Sequence, residues 1–126
     1  MKTAKGWVQG YNAQAMVSED QIILAGGLTQ EANDVHQLEP MLTAALLNLE
    51  LASGEEVALG AMLADAGYWS EANAEAETEE AERLIATRSA HRQRAAGREQ
   101  PPPRGRMPSG LSPRQRMERK LMTKRG

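Results

Sequence analysis

The two ends of this chain carry opposite charge, and that segregation limits how much of it can share one core. Residues 1–87 hold 3 Lys/Arg against 15 Asp/Glu, a balance of −12, whereas residues 88–126 hold 12 Lys/Arg against 2 Asp/Glu, a balance of +10. Like charges at that density repel one another and keep their water, so the basic part suits a packed interior poorly and attracts polyanions well. Composition alone leaves two outcomes open. Either the basic segment neutralises nucleic-acid phosphates and releases their counterions, or it is a solvated tail that lies against its own acidic half. The breaker run Pro101-Pro102-Pro103 falls inside this part. A boundary near residue 92 follows, with a folded domain over 1–92 and a basic, Pro/Arg-rich, largely disordered linker over 93–126 that has room for a short helix.

The acidic part has to build its core from a narrow set of side chains. Hydrophobic residues are 40% of the 126, but Phe is absent and there are only 2 Trp and 2 Tyr, which leaves Leu, Ile, Val, Met and Ala. That is enough for one modest core. Cysteine is absent, which excludes disulfides and thiolate zinc sites and fits a cytoplasmic protein. No apolar stretch reaches the length of a signal peptide or a membrane span, so the chain reads as soluble, intracellular and without a membrane partner.

Periodicity predicts a strand over Trp7–Val17, with Tyr11, Ala13, Ala15 and Val17 on one face and Asn12, Gln14 and Met16 on the other. Ser18-Glu19-Asp20 supplies a turn into Gln21–Ala25, a continuous apolar run expected of a strand covered on both faces, so that the two form an antiparallel hairpin. Gly26-Gly27 weakens the second strand or marks a bulge. Asp34 with Gln37 makes a capping box for a helix to about Leu51, carried by Val35, Leu38, Leu42, Ala45, Leu46 and Leu49. Pro40 either kinks this helix or moves its start towards Glu39. A short strand through Val57, Leu59, Met62 and Leu63 stops at Asp65, with a turn at Ala66-Gly67-Tyr68. Ser70 caps an exposed helix to about Arg83, Leu84–Thr87 forms one more strand, and Ser112–Lys124 suits a basic helix with Pro113 in its first turn. The order strand, strand, helix, strand, helix, strand predicts an α/β domain with a mixed sheet.

Asp65 is the candidate for chemistry, because a carboxylate at the end of an apolar strand sits at the sheet edge where ligands of α/β sheets collect. The alternative is a turn or cap residue. Asn12 and Gln14 either contact DNA or face solvent. Tyr68 and Trp69 either close over the core or stack on bases. His36 and His91 have no metal-ligand company and are not zinc ligands. In the basic segment, arginines suit phosphate oxygens because a guanidinium offers paired donors.

Ordered blocks sharpen this reading. Lys5-Gly6-Trp7-Val8-Gln9-Gly10-Tyr11-Asn12-Ala13-Gln14 resembles the KGFxxGYNxQ signature of insertion-sequence transposases with a DDE domain. So do Gln21-Ile22-Ile23, Thr29, Asn33-Asp34-Val35 with Leu38, Pro40 and Met41, and then Ala64-Asp65-Ala66-Gly67-Tyr68-Trp69-Ser70-Glu71. The likeness resumes at Arg104-Gly105-Arg106-Met107-Pro108 and at Arg116-Met117-Glu118-Arg119-Lys120-Leu121 through Thr123-Lys124-Arg125-Gly126, and it covers most of the chain. Ser18, where relatives have aspartate, and Gly26-Gly27, where they have larger residues, are departures.

The resemblance implies a bacterial protein with a partial ribonuclease-H-like mixed sheet and flanking helices over 1–92, in which Asp65 is the second carboxylate of an Asp-Asp-Glu triad. That triad holds two divalent ions, normally Mg2+, for cleavage and strand transfer of DNA at insertion-sequence ends. The family's first aspartate lies upstream of the Lys5 block and its glutamate downstream of the Arg116–Gly126 block, so this chain is expected to be an internal fragment without turnover of its own. Arg104, Arg106, Arg114, Arg116, Arg119, Lys120, Lys124 and Arg125 are the expected DNA contacts. A full-length transposase or a second copy is a further expected partner, in the cytoplasm and at the nucleoid when DNA is bound.

Overall fold

A computed structural model describes residues 2–3, 5–76, 81–87 and 102–123. The chain divides into two compact units, Met1–Ala58 and Leu59–Gly126. The boundary expected near residue 92 lies outside the described residues. The described residues make a mixed α and β architecture of three α-helices and three two-stranded sheets. The strands expected to share one mixed sheet therefore pair in twos.

In the first unit, β1 (Lys2–Thr3) and β2 (Gly6–Trp7) form a small antiparallel pair. The main hairpin is β3 (Asn12–Val17) with β4 (Ile23–Thr29), in a register that sets Asn12 opposite Thr29 and Gln14 opposite Gly27. The single strand expected from Trp7 is thus broken, and Gly6 at its start has φ +119°, a left-handed value that glycine adopts without strain. Asn12, Gln14 and Met16 point to the covered face, while Ala13, Ala15 and Val17 are exposed. The second strand is not covered on both faces: Ile22, Ile23 and Leu28 are exposed, Ile23 at 70% and Leu28 at 75%. The reason is that a helix over Leu38–Ser53, α1, packs on one face of the hairpin only, through Met41 and Ala45 against Ala25, with Met16, Leu24 and Ala44 around them. The ladder slips between Met16 and Val17, opposite Leu24, so the irregularity sits two residues before the glycine pair. Asn48 of α1 donates to the Leu24 carbonyl at 2.8 Å, supplying a partner where the ladder is interrupted.

Gly27 serves close approach instead. A Cβ placed on Gly27 would come within 3.3 Å of the Met41 sulfur, so the missing side chain is the seat of the helix. That helix, α1 (Leu38–Ser53), is preceded by a 3-10 turn over Asp34–Gln37 that Asn33 caps through the Val35 N–H at 3.1 Å. The expected Asp34/Gln37 capping box does not form. Pro40 has no N–H to give to the His36 carbonyl, which makes a tight turn before an α-helix the economical start. Gly54, at φ 76°, ends the helix with its N–H on the Glu50 carbonyl at 2.8 Å.

In the second unit, β5 (Ala61–Ala64) and β6 (Glu82–Ile85) pair in parallel, with Leu63 opposite Leu84. A parallel pair needs a crossover, here a 3-10 turn over Ala66–Tyr68 and α2 (Glu71–Glu75), capped by Ser70 on the Asn73 N–H. The helix expected to reach Arg83 is shorter. Ala81 to Arg83, good helix formers by propensity, pair with β5 or adjoin that pairing, and residues 77–80 lie outside the described set. The basic helix predicted over Ser112–Lys124 is present as α3 (Pro113–Leu121), with a full capping box between Ser112 and Gln115 and Pro113 in the first turn. Its Met117 is buried and accepts the Ile85 N–H on its sulfur at 3.4 Å, so α3 lies against β6.

Candidate functional site

Asp65 ends β5, where the sequence places it. Its carboxylate oxygen Oδ1 accepts the Gly67 N–H at 2.7 Å and its carbonyl accepts the Tyr68 N–H at 3.2 Å, so the residue closes the turn that follows the strand. The parallel ladder runs to this edge, since the Ala86 N–H reaches the Ala64 carbonyl at 2.9 Å. Asp65 is exposed, and Tyr68 and Trp69 beside it are half-buried. Asn73 ties the turn to α2 by donating to the Tyr68 carbonyl at 2.9 Å.

A pair of divalent cations takes several carboxylate oxygens at once. No group of three or more His, Cys, Asp or Glu that could hold a metal ion is found among the described residues. With one oxygen of Asp65 already on Gly67, the donor set among the described residues does not fit a metal pair.

Sequence reasoning missed Asp34. Its Oδ1 accepts Asn12 Nδ2 and Gln14 Nε2 at 2.6 and 2.8 Å, and Asn12 also donates to the Glu31 carbonyl at 3.2 Å. Gln14 is 7% exposed. Gln14 is buried and Asn12 half-buried, and both amides clamp the turn before α1 onto the hairpin. The spacing of Asn12 and Gln14 two apart on one strand face was the available signal, because both amides point the same way. Arg83 is the second residue missed. It is 1% exposed on β6 and donates to the Asn73 carbonyl at 3.3 Å, joining β6 to α2.

The basic residues divide by what their side chains touch. Arg114 donates to the Thr87 carbonyl at 2.8 Å and lies 3.6 Å from Glu118, which also accepts the Thr87 hydroxyl. Arg119 donates to the carbonyls of Arg104 and Gly105 at 2.9 and 3.4 Å, and Lys120 lies 3.9 Å from Glu82. Arg104, Arg106 and Arg116 are exposed, and their side chains make no hydrogen bond or ion pair among the described residues. Lys124 and Arg125 lie outside the described residues, as does His91.

No protein-family model matches this chain, and neither a characterised protein nor a solved structure matches it. Among the described residues no helix is long and apolar enough to cross a membrane.

Proposed function

We propose that this chain is a piece of an insertion-sequence DDE transposase catalytic domain, of the ribonuclease-H-like class, and that by itself it binds DNA without cutting it. The observation that carries the reading is the ordered run of sequence blocks from Lys5 to Gly126. An antiparallel hairpin, a helix packed on it and a parallel pair with Asp65 at its carboxyl end follow one another in the order such a domain uses, which supports it. The Mg2+-dependent cleavage and strand transfer of that family belong to the complete triad. Exposed arginines in the basic segment support DNA binding, since each phosphate neutralised releases counterions.

The purified full chain should bind a labelled duplex of arbitrary sequence, with affinity that falls steeply from about 50 to about 200 mM salt. It should leave supercoiled plasmid intact in Mg2+. Nicking that needs Mg2+ and disappears in Asp65→Ala would overturn the claim that the chain does not cut, and affinity indifferent to salt would overturn the DNA reading. A second reading, a remnant without function, is favoured by the exposed apolar face of the hairpin. Cooperative thermal unfolding of a soluble monomer argues against that second reading.

A further inference from the structure

The second unit has a cleft of about 490 Å³ between the loop that carries Met107 and the face of α3 that carries Pro113, Arg116 and Lys120. Three facts make its rim a rigid cationic edge. First, Arg119 grips the loop by both the Arg104 and Gly105 carbonyls, a geometry that Gly105 permits with φ 84°. This holds the backbone next to Arg106 against α3. Second, α3 is itself fastened along β6 by Met117 on the Ile85 N–H and by Arg114 on the Thr87 carbonyl. Third, Arg106 and Arg116 stand exposed beside and on the rim with no partner for their side chains among the described residues, whereas Lys120 is held by Glu82. Guanidinium groups presented from a fixed backbone lose less freedom on meeting a phosphodiester than groups on a floating tail.

We propose that Arg106 and Arg116, at this cleft, contact DNA phosphates, and that Arg114, Arg119 and Lys120 hold the fold that presents them. The assignment rests on the DNA-binding reading above. It divides a basic cluster that sequence alone treats as uniform. Glu75 of α2 also lines the cleft, as an exposed carboxylate that repels an incoming phosphate.

The test is fluorescence anisotropy of the full chain on a labelled duplex across a salt series. Arg106→Ala with Arg116→Ala should weaken binding about tenfold or more at low salt, by loss of two charge-assisted contacts. The slope of log affinity against log salt should fall by about 2, because each lost phosphate contact removes about 0.9. Arg106→Gln and Arg116→Gln singly should each lower the slope by about half as much, and Arg106→Lys with Arg116→Lys should keep the slope. Glu75→Gln should tighten binding more than Glu71→Gln, which neutralises an exposed residue of the same helix outside the cleft lining. Arg119→Ala should lower the thermal midpoint. A parent chain that binds with a salt slope left unchanged in both single Gln variants sinks this assignment alone. A parent chain with no salt-dependent binding sinks the DNA reading and this assignment with it.

Discussion

Asp65 and Asp34 are both acids at the start of a turn, and their surroundings give them different work. Asp65 is exposed and bonded to the Gly67 N–H two residues on, the local arrangement that short polar side chains form wherever a strand ends. Asp65→Ala should cost about 1 kcal/mol, the usual worth of such a cap, and Asp65→Asn much less because the acceptor survives. Urea denaturation of the two variants checks this, and equal loss in both would mean the side chain does not hold the turn. Asp34 bonds to Asn12 and Gln14 across the fold, in a part-buried site. Asp34→Ala takes the shared acceptor from two amides and should cost about 1–3 kcal/mol, with Asp34→Asn again milder. A loss in Asp34→Ala no larger than that of an exposed acid such as Glu19→Ala would discard the clamp. The place of Asp65 was legible because its partner is a chain neighbour. The role of Asp34 was not, because its partners lie 20 and 22 residues away.

At the scale of elements, the C-terminal end of α1 was set by chemistry visible in the sequence. Gly54 lies just past the apolar repeat, and its left-handed backbone lets its N–H close on Glu50. Gly54→Ala should therefore cost about 1 kcal/mol through the steric penalty on a left-handed Cβ, read as a lower thermal midpoint with an unchanged circular dichroism spectrum. A variant as stable as the parent would mean the cap is not formed in solution. Pro40 moves the start of α1 to Leu38, next to the expected Glu39, but the cap before it and the reach of α2 differ from expectation for different reasons. Asp34 was spent on the hairpin, so Asn33 caps instead. Ala81–Arg83 carry helical propensity, but β5 offers ladder bonds and burial to this stretch, and tertiary pairing outweighs a propensity of a few tenths of a kcal/mol per residue, roughly. The same competition explains the second hairpin strand. A continuous apolar run implies two covers, and within the first unit α1 supplies one.

For the whole molecule, the exposed face of the hairpin is the main liability. Val17, Ile23 and Leu28 are exposed apolar side chains on one face of strands that also leave ladder groups available at an edge. Leu28→Lys should reduce concentration-dependent light scattering while leaving the free energy of unfolding within about 0.5 kcal/mol of the parent, as for an exposed site. Scattering equal to that of the parent would place the sticky surface elsewhere. The charge asymmetry acts at this scale too. The basic segment reads as a linker with room for one short helix, and that helix packs on β6 in the second unit through one buried methionine and polar contacts at Arg114 and Glu118.

What the sequence by itself determined are the features that depend on neighbours along the chain. These are the hairpin, the helix with its glycine stop, the strand that ends at Asp65, the basic helix with Pro113 in its first turn and the split of charge. Each is settled by bonds and periodicity spanning a few residues. Only the tertiary structure decided which face of the hairpin is covered, what Asn12 and Gln14 hold, where β6 begins and which arginines are left for a ligand. Those outcomes depend on backbone carbonyls and side chains brought together from distant parts of the chain. Arg116 and Arg119 are three residues apart on one helix, and only the fold shows that Arg119 is spent on the Arg104 and Gly105 carbonyls while the Arg116 side chain has no described partner.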